Sequence, residues 1–423
     1  MSTLSGRDYR TLILAALGGA LEFYDFIIFV FFAVVIGKLF FPAAMPDWLR
    51  QVQTFGIFAA GYLARPLGGI VMAHFGDLLG RKRMFMLSIL LMSLPTFAIG
   101  FLPTYAGIGI WAPIFLLLLR VMQGAAIGGE VPGAWVFVTE HVNARHVGFA
   151  CGTLTAGLTG GILLGSLVAT AVNHAYSPAE LLSEGWRVPF VIGGVFGFVS
   201  VWLRQWLQET PVFQEMQARK ALAEEMPLKQ VIRDHKPSIV LTMLLTWLLS
   251  AAVVVMILMT PTLVQKLFAV PATTALQANS IATLCLTLGC MIFGAWSDRY
   301  GSGRVLLIGC LMLAITSVVF YKQMAVAPQH IYPLYALCGF FVGVIGLVPS
   351  IAVRMFPAEV RFSGLSFSYN VAYAVFGGLT PVVVSMLVTV NQMAPAYYVA
   401  ALCGLGMLIG LVLWQIERNN PWE

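Results

Sequence analysis

Long apolar runs restrict the fold of this chain more than any other feature. A helix that crosses a bilayer needs about 20 predominantly apolar residues. Twelve runs of that length begin near Thr11, Gln51, Met84, Trp111, Val147, Arg187, Pro237, Thr273, Arg304, Tyr332, Phe362 and Pro395. In hydrocarbon every backbone N–H and C=O must be satisfied inside the protein, which runs of this length achieve as helices. The expected fold is therefore an all-α integral membrane protein with twelve transmembrane helices. Only 10% of the 423 residues are charged, against about 25% in soluble domains. With a mean hydropathy of +0.88, a soluble form would expose large apolar patches. The lipid bilayer is the partner that the composition calls for.

The formal charge is +6, but the basic residues form short clusters between apolar runs. They make no continuous basic face, so nucleic acid is not an expected partner. The cysteines, Cys151, Cys285, Cys290, Cys310, Cys338 and Cys403, all fall inside apolar runs, where a small hydrophobic residue is at home. No CxxC or Cys/His cluster points to a metal. With no nucleotide loop or nucleophile motif either, neither a cofactor nor an enzyme is expected. The first apolar run, from about Thr11 to Phe41, is too long for a cleavable signal and reads as a span that stays.

Lysine and arginine set the orientation. Of the 24 such residues, only Lys38, Arg50, Arg187, Lys266 and Lys322 fall in one set of loops, while Arg65 and Arg120 lie within spans. The remainder occupy the other set, which places both termini in the cytoplasm. The longest polar stretch, Gln208 to Lys236, carries Pro211, Pro227 and mixed charges such as Arg219, Lys220, Glu224 and Glu225. It reads as an amphipathic linker, dividing the chain into an N-terminal bundle (1–207), a linker (208–236) and a C-terminal bundle (237–423).

The two halves repeat. Leu67, Gly68, Asp77, Gly80 and Arg83 lie at one constant shift from Leu288, Gly289, Asp298, Gly301 and Arg304. Val131-Pro132 and Val348-Pro349 form a weaker echo. Duplicated six-helix units are a transporter architecture, here expected as two bundles with pseudo-two-fold symmetry.

The loop Gly76-Asp77-Leu78-Leu79-Gly80-Arg81-Lys82-Arg83 resembles the hallmark loop of the major facilitator superfamily. Glycines permit its tight turn, and its charges stand where a breakable latch would join helix ends. Asp77, Arg81, Arg83, Glu140 and Asp298 are accordingly expected to form a cytoplasmic gate. Gly185-Trp186-Arg187-Val188-Pro189-Phe190 and Leu207-Gln208-Glu209-Thr210-Pro211 are similar to the metabolite:proton symporter family. So are Leu21-Glu22-Phe23-Tyr24-Asp25-Phe26, Arg65-Pro66-Leu67-Gly68-Gly69, the stretch from Arg120 through Gln123 to Glu130, and Gly377-Gly378-Leu379-Thr380-Pro381. The resemblance covers nearly the whole chain. It implies a monomer in a bacterial inner membrane that moves a small metabolite together with a proton. Members carry citrate, α-ketoglutarate, shikimate, or proline and betaine. Two departures stand out: Ser302 and Gly303 replace the usual arginine of the second hallmark loop, and Arg354 replaces a glutamate at the end of span ten. The second half of the gate is expected to be wired differently, with Asp298 the weaker member.

Charges inside spans are costly, about 2.5–3.5 kcal/mol each on insertion scales, and so mark function. Glu22, Asp25, Arg65, Arg120 and Glu130 all lie in the first half. Glu22 and Asp25, spaced i, i+3, share a helix face and are the expected proton-coupling pair. The resemblance pairs Arg120 with Asp25, and similar depth pairs Arg65 with Glu130. Arg120, Arg65, Gln123 and Glu130 are candidate substrate-binding residues. Tyr369, Asn370 and Tyr373 along span eleven, with Trp247 in span seven, are candidate pocket walls or simply packing aromatics. The first expectation for function is proton-coupled uptake of an organic acid anion, with the arginines binding carboxylate. The second is symport of a zwitterionic osmolyte such as proline or betaine. Drug antiport is disfavoured because Gly157-Leu-Thr-Gly160-Gly161 lacks a glycine-proline element. A membrane sensor on the same fold is the alternative from another class.

Overall fold

The computed structural model describes residues 5–206, 210–218 and 227–419. Among these the chain is helical and forms no strand. Twelve helices are long and apolar enough to cross a membrane. Spans one to six are Asp8–Phe31, Gly56–Gly76, Lys82–Phe101, Trp111–Thr139, Ala144–Ala175 and Gly185–Leu203. Spans seven to twelve are Lys236–Phe268, Thr273–Tyr300, Ser302–Val326, Pro328–Arg354, Arg361–Val388 and Ala394–Asn419. The sequence places their starts closely, with the largest difference at span two, Gly56 against Gln51. That helix begins at Asp47, and its first turns carry Asp47, Arg50, Gln51 and Gln53, too polar for hydrocarbon. The first apolar run also divides: span one ends at Phe31, and a short helix, Ala33–Phe40, continues it.

Small residues bring the helices together. Within lipid there is no hydrophobic drive between helices, and close backbone approach at glycine supplies the contact instead. A Cβ on Gly124 of span four would collide with the Gly61 carbonyl of span two, and one on Gly68 with the Ala125 backbone. The second half repeats the arrangement. A Cβ on Gly339 of span ten would collide with the Ala282 backbone of span eight, and one on Gly289 with the Phe340 carbonyl. The shift that relates Asp77 to Asp298 also relates Gly61 to Ala282 and Gly68 to Gly289. The pseudo-two-fold symmetry that relates the two six-helix bundles thus extends to individual backbone contacts within each. The hallmark turns repeat as well: Gly80 has φ 113° and ψ 144°, Gly301 φ 91° and ψ 143°. Both conformations require glycine.

The halves differ in regularity. Spans seven and eleven contain π-helical turns, Val254–Met259 and Tyr373–Gly377, and span ten contains the 3₁₀ stretch Gly343–Leu347. Among the described residues of the first half, 3₁₀ turns occur only where spans five and six begin. The 3₁₀ stretch explains why the Val-Pro echo is the weaker one. Val348-Pro349 lies two residues beyond the place that the Gly124-to-Gly339 shift gives it, and Gly343–Leu347 lies between. Of the linker, the helices Pro211–Ala218 and Pro227–Asp234 are described. Arg219, Lys220, Glu224 and Glu225 lie outside the described residues.

Candidate functional site

The five charges of the first half are distributed differently from the expected pairs. Asp25 is fully buried, and neither of its carboxylate oxygens has a hydrogen-bond partner among the described residues. It faces Gly193 of span six, where a Cβ would fall 2.5 Å from Asp25 Oδ1 and 2.7 Å from Thr96 Cγ2. Glycine at 193 therefore leaves the room that the carboxylate occupies. Glu22 is buried one turn earlier on the same helix.

No ion pair joins Asp25 to Arg120, contrary to the expectation. Arg120 is fully buried, but it turns toward a cup of rings, with its guanidinium carbon 4.5 Å from the Phe26 centroid, 4.6 Å from Phe29 and 5.2 Å from Phe58. Its Nη1 donates to Gln123 Oε1 at 2.8 Å and to the Phe26 carbonyl at 3.3 Å. Gln123 Nε2 in turn donates to Thr96 Oγ1 at 2.7 Å. A polar chain thus runs Arg120–Gln123–Thr96 and ends beside the glycine that faces Asp25.

Arg65 and Glu130 also fail to pair. Glu130 accepts a hydrogen bond from the Ser88 hydroxyl of span three, whereas Arg65 points out of its own bundle toward span eleven. Its guanidinium carbon lies 4.1 Å from the Tyr373 centroid, 5.4 Å from Tyr369 and 5.7 Å from Tyr62. Nε donates to Asn370 Oδ1 at 3.4 Å, and the buried Nη2 has no acceptor. The rings support one another. Tyr62 and Tyr373 stack at 5.6 Å and 10°, and Trp135 meets Tyr369 edge-on at 5.0 Å. Asn370 Nδ2 also donates to the Gly128 carbonyl at 2.6 Å, and a Cβ on Gly69 would collide with that same nitrogen. Arg65, Tyr369, Asn370 and Tyr373 therefore meet well inside spans two and eleven, where the two bundles touch. Trp247 stays within the second bundle, stacked on Phe376 at 4.3 Å with its N–H donated to Tyr398.

Tyr62, Thr96, Trp135 and Gly193 were not singled out from the sequence. Tyr62 was within reach of such reasoning, because it lies i−3 from Arg65 and so shares its helix face. Pro66, next to Arg65, has no N–H to offer the Tyr62 carbonyl four residues earlier.

The contacts nearest the linker also cross between bundles. Glu140, at the end of span four, accepts from Arg361 at 3.4 Å and from Thr210 at 2.7 Å. Asp298 accepts the backbone N–H groups of Gly148 and Phe149, both at 2.7 Å. These belong to the first turn of the helix Val147–Ala175, whose own N-cap, His146, makes no side-chain cap bond. An aspartate of one bundle thus caps a helix of the other, where orphan N–H groups and the helix dipole favour an anion. Arg354 stands 3.9 Å from Asp298 and donates to the Ala144 carbonyl at 3.0 Å. Asp298, expected to be the weaker member of the gate, has these two backbone donors and Arg354 around it. At the Ser302 and Gly303 departure, both N–H groups are held by Glu417 of span twelve. Arg83 is exposed, and the side chains of Asp77 and Arg81 lie outside the described residues. Among the described residues no group of His, Cys, Asp and Glu stands in metal-binding geometry.

Residues 26–381 match the family model described as Major Facilitator Superfamily. The proline/betaine transporters of Salmonella typhimurium and Escherichia coli are each 30% identical to this chain, over 98% of its length and 85% of theirs. The structure of the proton:xylose symporter XylE bound to 6-bromo-6-deoxy-D-glucose superposes with a TM-score of 0.80 at 15% identity. It covers 96% of this chain and 95% of that one, a likeness of fold.

Proposed function

The chain belongs to the major facilitator superfamily of membrane transporters, and from that premise we propose that it is a proton-coupled symporter of a small zwitterionic osmolyte of the proline or betaine kind. The observation that carries this reading is the similarity, along nearly the whole chain, to proteins named proline/betaine transporters. It moves the organic acid anion, the first expectation, to second place.

Asp25 is the proposed proton site. A buried carboxylate without a hydrogen-bond donor has little to hold its charge, so its proton can leave or return as access alternates. Arg65, with Tyr369, Asn370 and Tyr373, is the proposed substrate site, because these residues meet between the bundles. The Arg120–Gln123–Thr96 chain lies between the two sites and is the proposed link. Glu140–Arg361 and Asp298 with Arg354 are the proposed gate, closed here on the linker side. In this reading that side is cytoplasmic, as its lysines and arginines favour.

Uptake into proteoliposomes under an imposed proton gradient tests the reading. Radiolabelled proline and glycine betaine should accumulate, and α-ketoglutarate and citrate should not. Asp25→Asn should abolish accumulation but retain counterflow exchange, which needs no net proton movement. Accumulation that persists in Asp25→Asn and is lost in Glu22→Gln would move the proton to Glu22. Accumulation of the di- and tricarboxylates alone would overturn the osmolyte reading.

A further inference from the structure

Arg65 is a buried cation whose company is mainly aromatic. It is 2% exposed, forms no ion pair with a described carboxylate, and rests on the faces of Tyr373, Tyr369 and Tyr62. Aromatic faces carry negative quadrupole density and attract cations, most strongly where water is excluded. Several rings around one cationic centre make the kind of cage that takes a quaternary ammonium ion. Here the cage already holds a cation, the protein's own guanidinium, whose Nη2 has no acceptor.

We propose that this cage reads both charges of the substrate by exchange. The substrate carboxylate pairs with Arg65 through Nη2 and draws the guanidinium away from the tyrosine faces. The substrate's quaternary ammonium then takes its place among Tyr62, Tyr369 and Tyr373. The exchange leaves the charge within the cage unchanged, and it gives the buried guanidinium the anion that it lacks. A dicarboxylate would also draw Arg65 out, but it would turn a second anion toward the negative faces of the rings. The cage thus favours a zwitterion over a dianion at the point where the two bundles meet. This inference rests on the osmolyte reading and specifies how that substrate is recognised.

Calorimetric titration of the purified full-length protein separates the two. Glycine betaine is compared with 3,3-dimethylbutanoate, which keeps the shape and the carboxylate but replaces trimethylammonium by an uncharged tert-butyl group. Wild type should bind glycine betaine about tenfold or more tightly than the isostere, the worth of a desolvated cation on aromatic faces. Tyr373→Phe keeps the face and should keep the preference, whereas Tyr373→Leu should bring the two ligands within about threefold. Tyr62→Leu serves as the second variant should Tyr373→Leu fail to give a monodisperse protein. Equal binding of the two ligands by wild type, or an unchanged preference in the leucine variants, overturns the cage while leaving the osmolyte reading intact. Binding of citrate or α-ketoglutarate with none of glycine betaine or proline overturns both.

Discussion

Replacing Asp298 should release the closed side of the protein. Its two hydrogen bonds, both 2.7 Å, join a carboxylate of span eight to the uncapped first turn of span five. A hydrogen bond to a charged group contributes about 1.5–3 kcal/mol. Asp298→Ala should therefore cost the closed arrangement about 3–6 kcal/mol, a shift of roughly a hundredfold to ten-thousandfold between closed and open forms. Arg354 adds little, because its 3.9 Å contact is long and its side chain is 24% exposed. Asp298→Asn keeps a single acceptor oxygen and should produce about half of the effect. Glu140–Arg361 remains as a second tie, so Asp298→Ala combined with Arg361→Ala should open the linker side fully. Spin labels at the exposed positions Arg83 and Arg299 should move apart in pulsed distance measurements. A pair at Ile110 and Val390, both exposed on the opposite side, should draw together. Unchanged distances in the double variant would refute the latch.

Glu417→Ala should expose the N–H groups of Ser302 and Gly303 and destabilise the fold by about 1 kcal/mol, as loss of a helix cap does, read as a lower thermal midpoint. Gly124→Ala drives a methyl group against the Gly61 carbonyl and should cost about 1–3 kcal/mol. Gly160→Ala meets nothing within 4 Å and should stay within about 0.5 kcal/mol of wild type; a reversed order of the two midpoints would count against the packing argument. The helix Pro178–Ser183 begins with a capping box in which the Ser177 backbone N–H and hydroxyl hold the Glu180 carboxyl below its usual range. A carboxyl lowered in the folded state stabilises above its unfolded pKa of about 4.3, and that support is lost as pH falls through the lower folded value. The protection of the Glu180 amide, its exchange relative to the intrinsic rate at each pH, should therefore fall in acid, and Glu180→Gln should remove that dependence.

The spans, the repeat and the charged positions were legible in the sequence because lipid leaves few options for a long apolar run. The pairing of the charges was not. Pairing depends on how each helix is rotated, and depth along a span does not report rotation. Arg120 and Glu130 lie on one helix, but ten residues at 3.6 per turn set them about 80° apart. One therefore faces span one, while the other faces Ser88 of span three. Asp25 and Arg120 match in depth, yet the arginine is turned aside by Phe26, Phe29 and Gln123. The tyrosine cage draws on both bundles, so the i, i+4 pattern within span eleven showed only its Tyr369 and Tyr373 side. The hydrogen-bond donors to Asp298 are backbone N–H groups of the other bundle, which leave no trace in residue types.

The irregular turns have a mechanical meaning. A regular α-helix resists bending because every N–H is tied to the carbonyl four residues back, and π and 3₁₀ turns break that uniform lattice. All three π and 3₁₀ stretches deep inside spans fall in the second half, whereas the first half, which holds all five deeply placed charges, interrupts its ladders at Pro66, Pro95 and Pro132. The duplicated plan has thus placed its joints differently, at prolines in the first half and at π and 3₁₀ turns in the second. Tyr373 opens one of those joints and is also the ring closest to Arg65. Flexing of span eleven at this turn would therefore move the ring that grips Arg65.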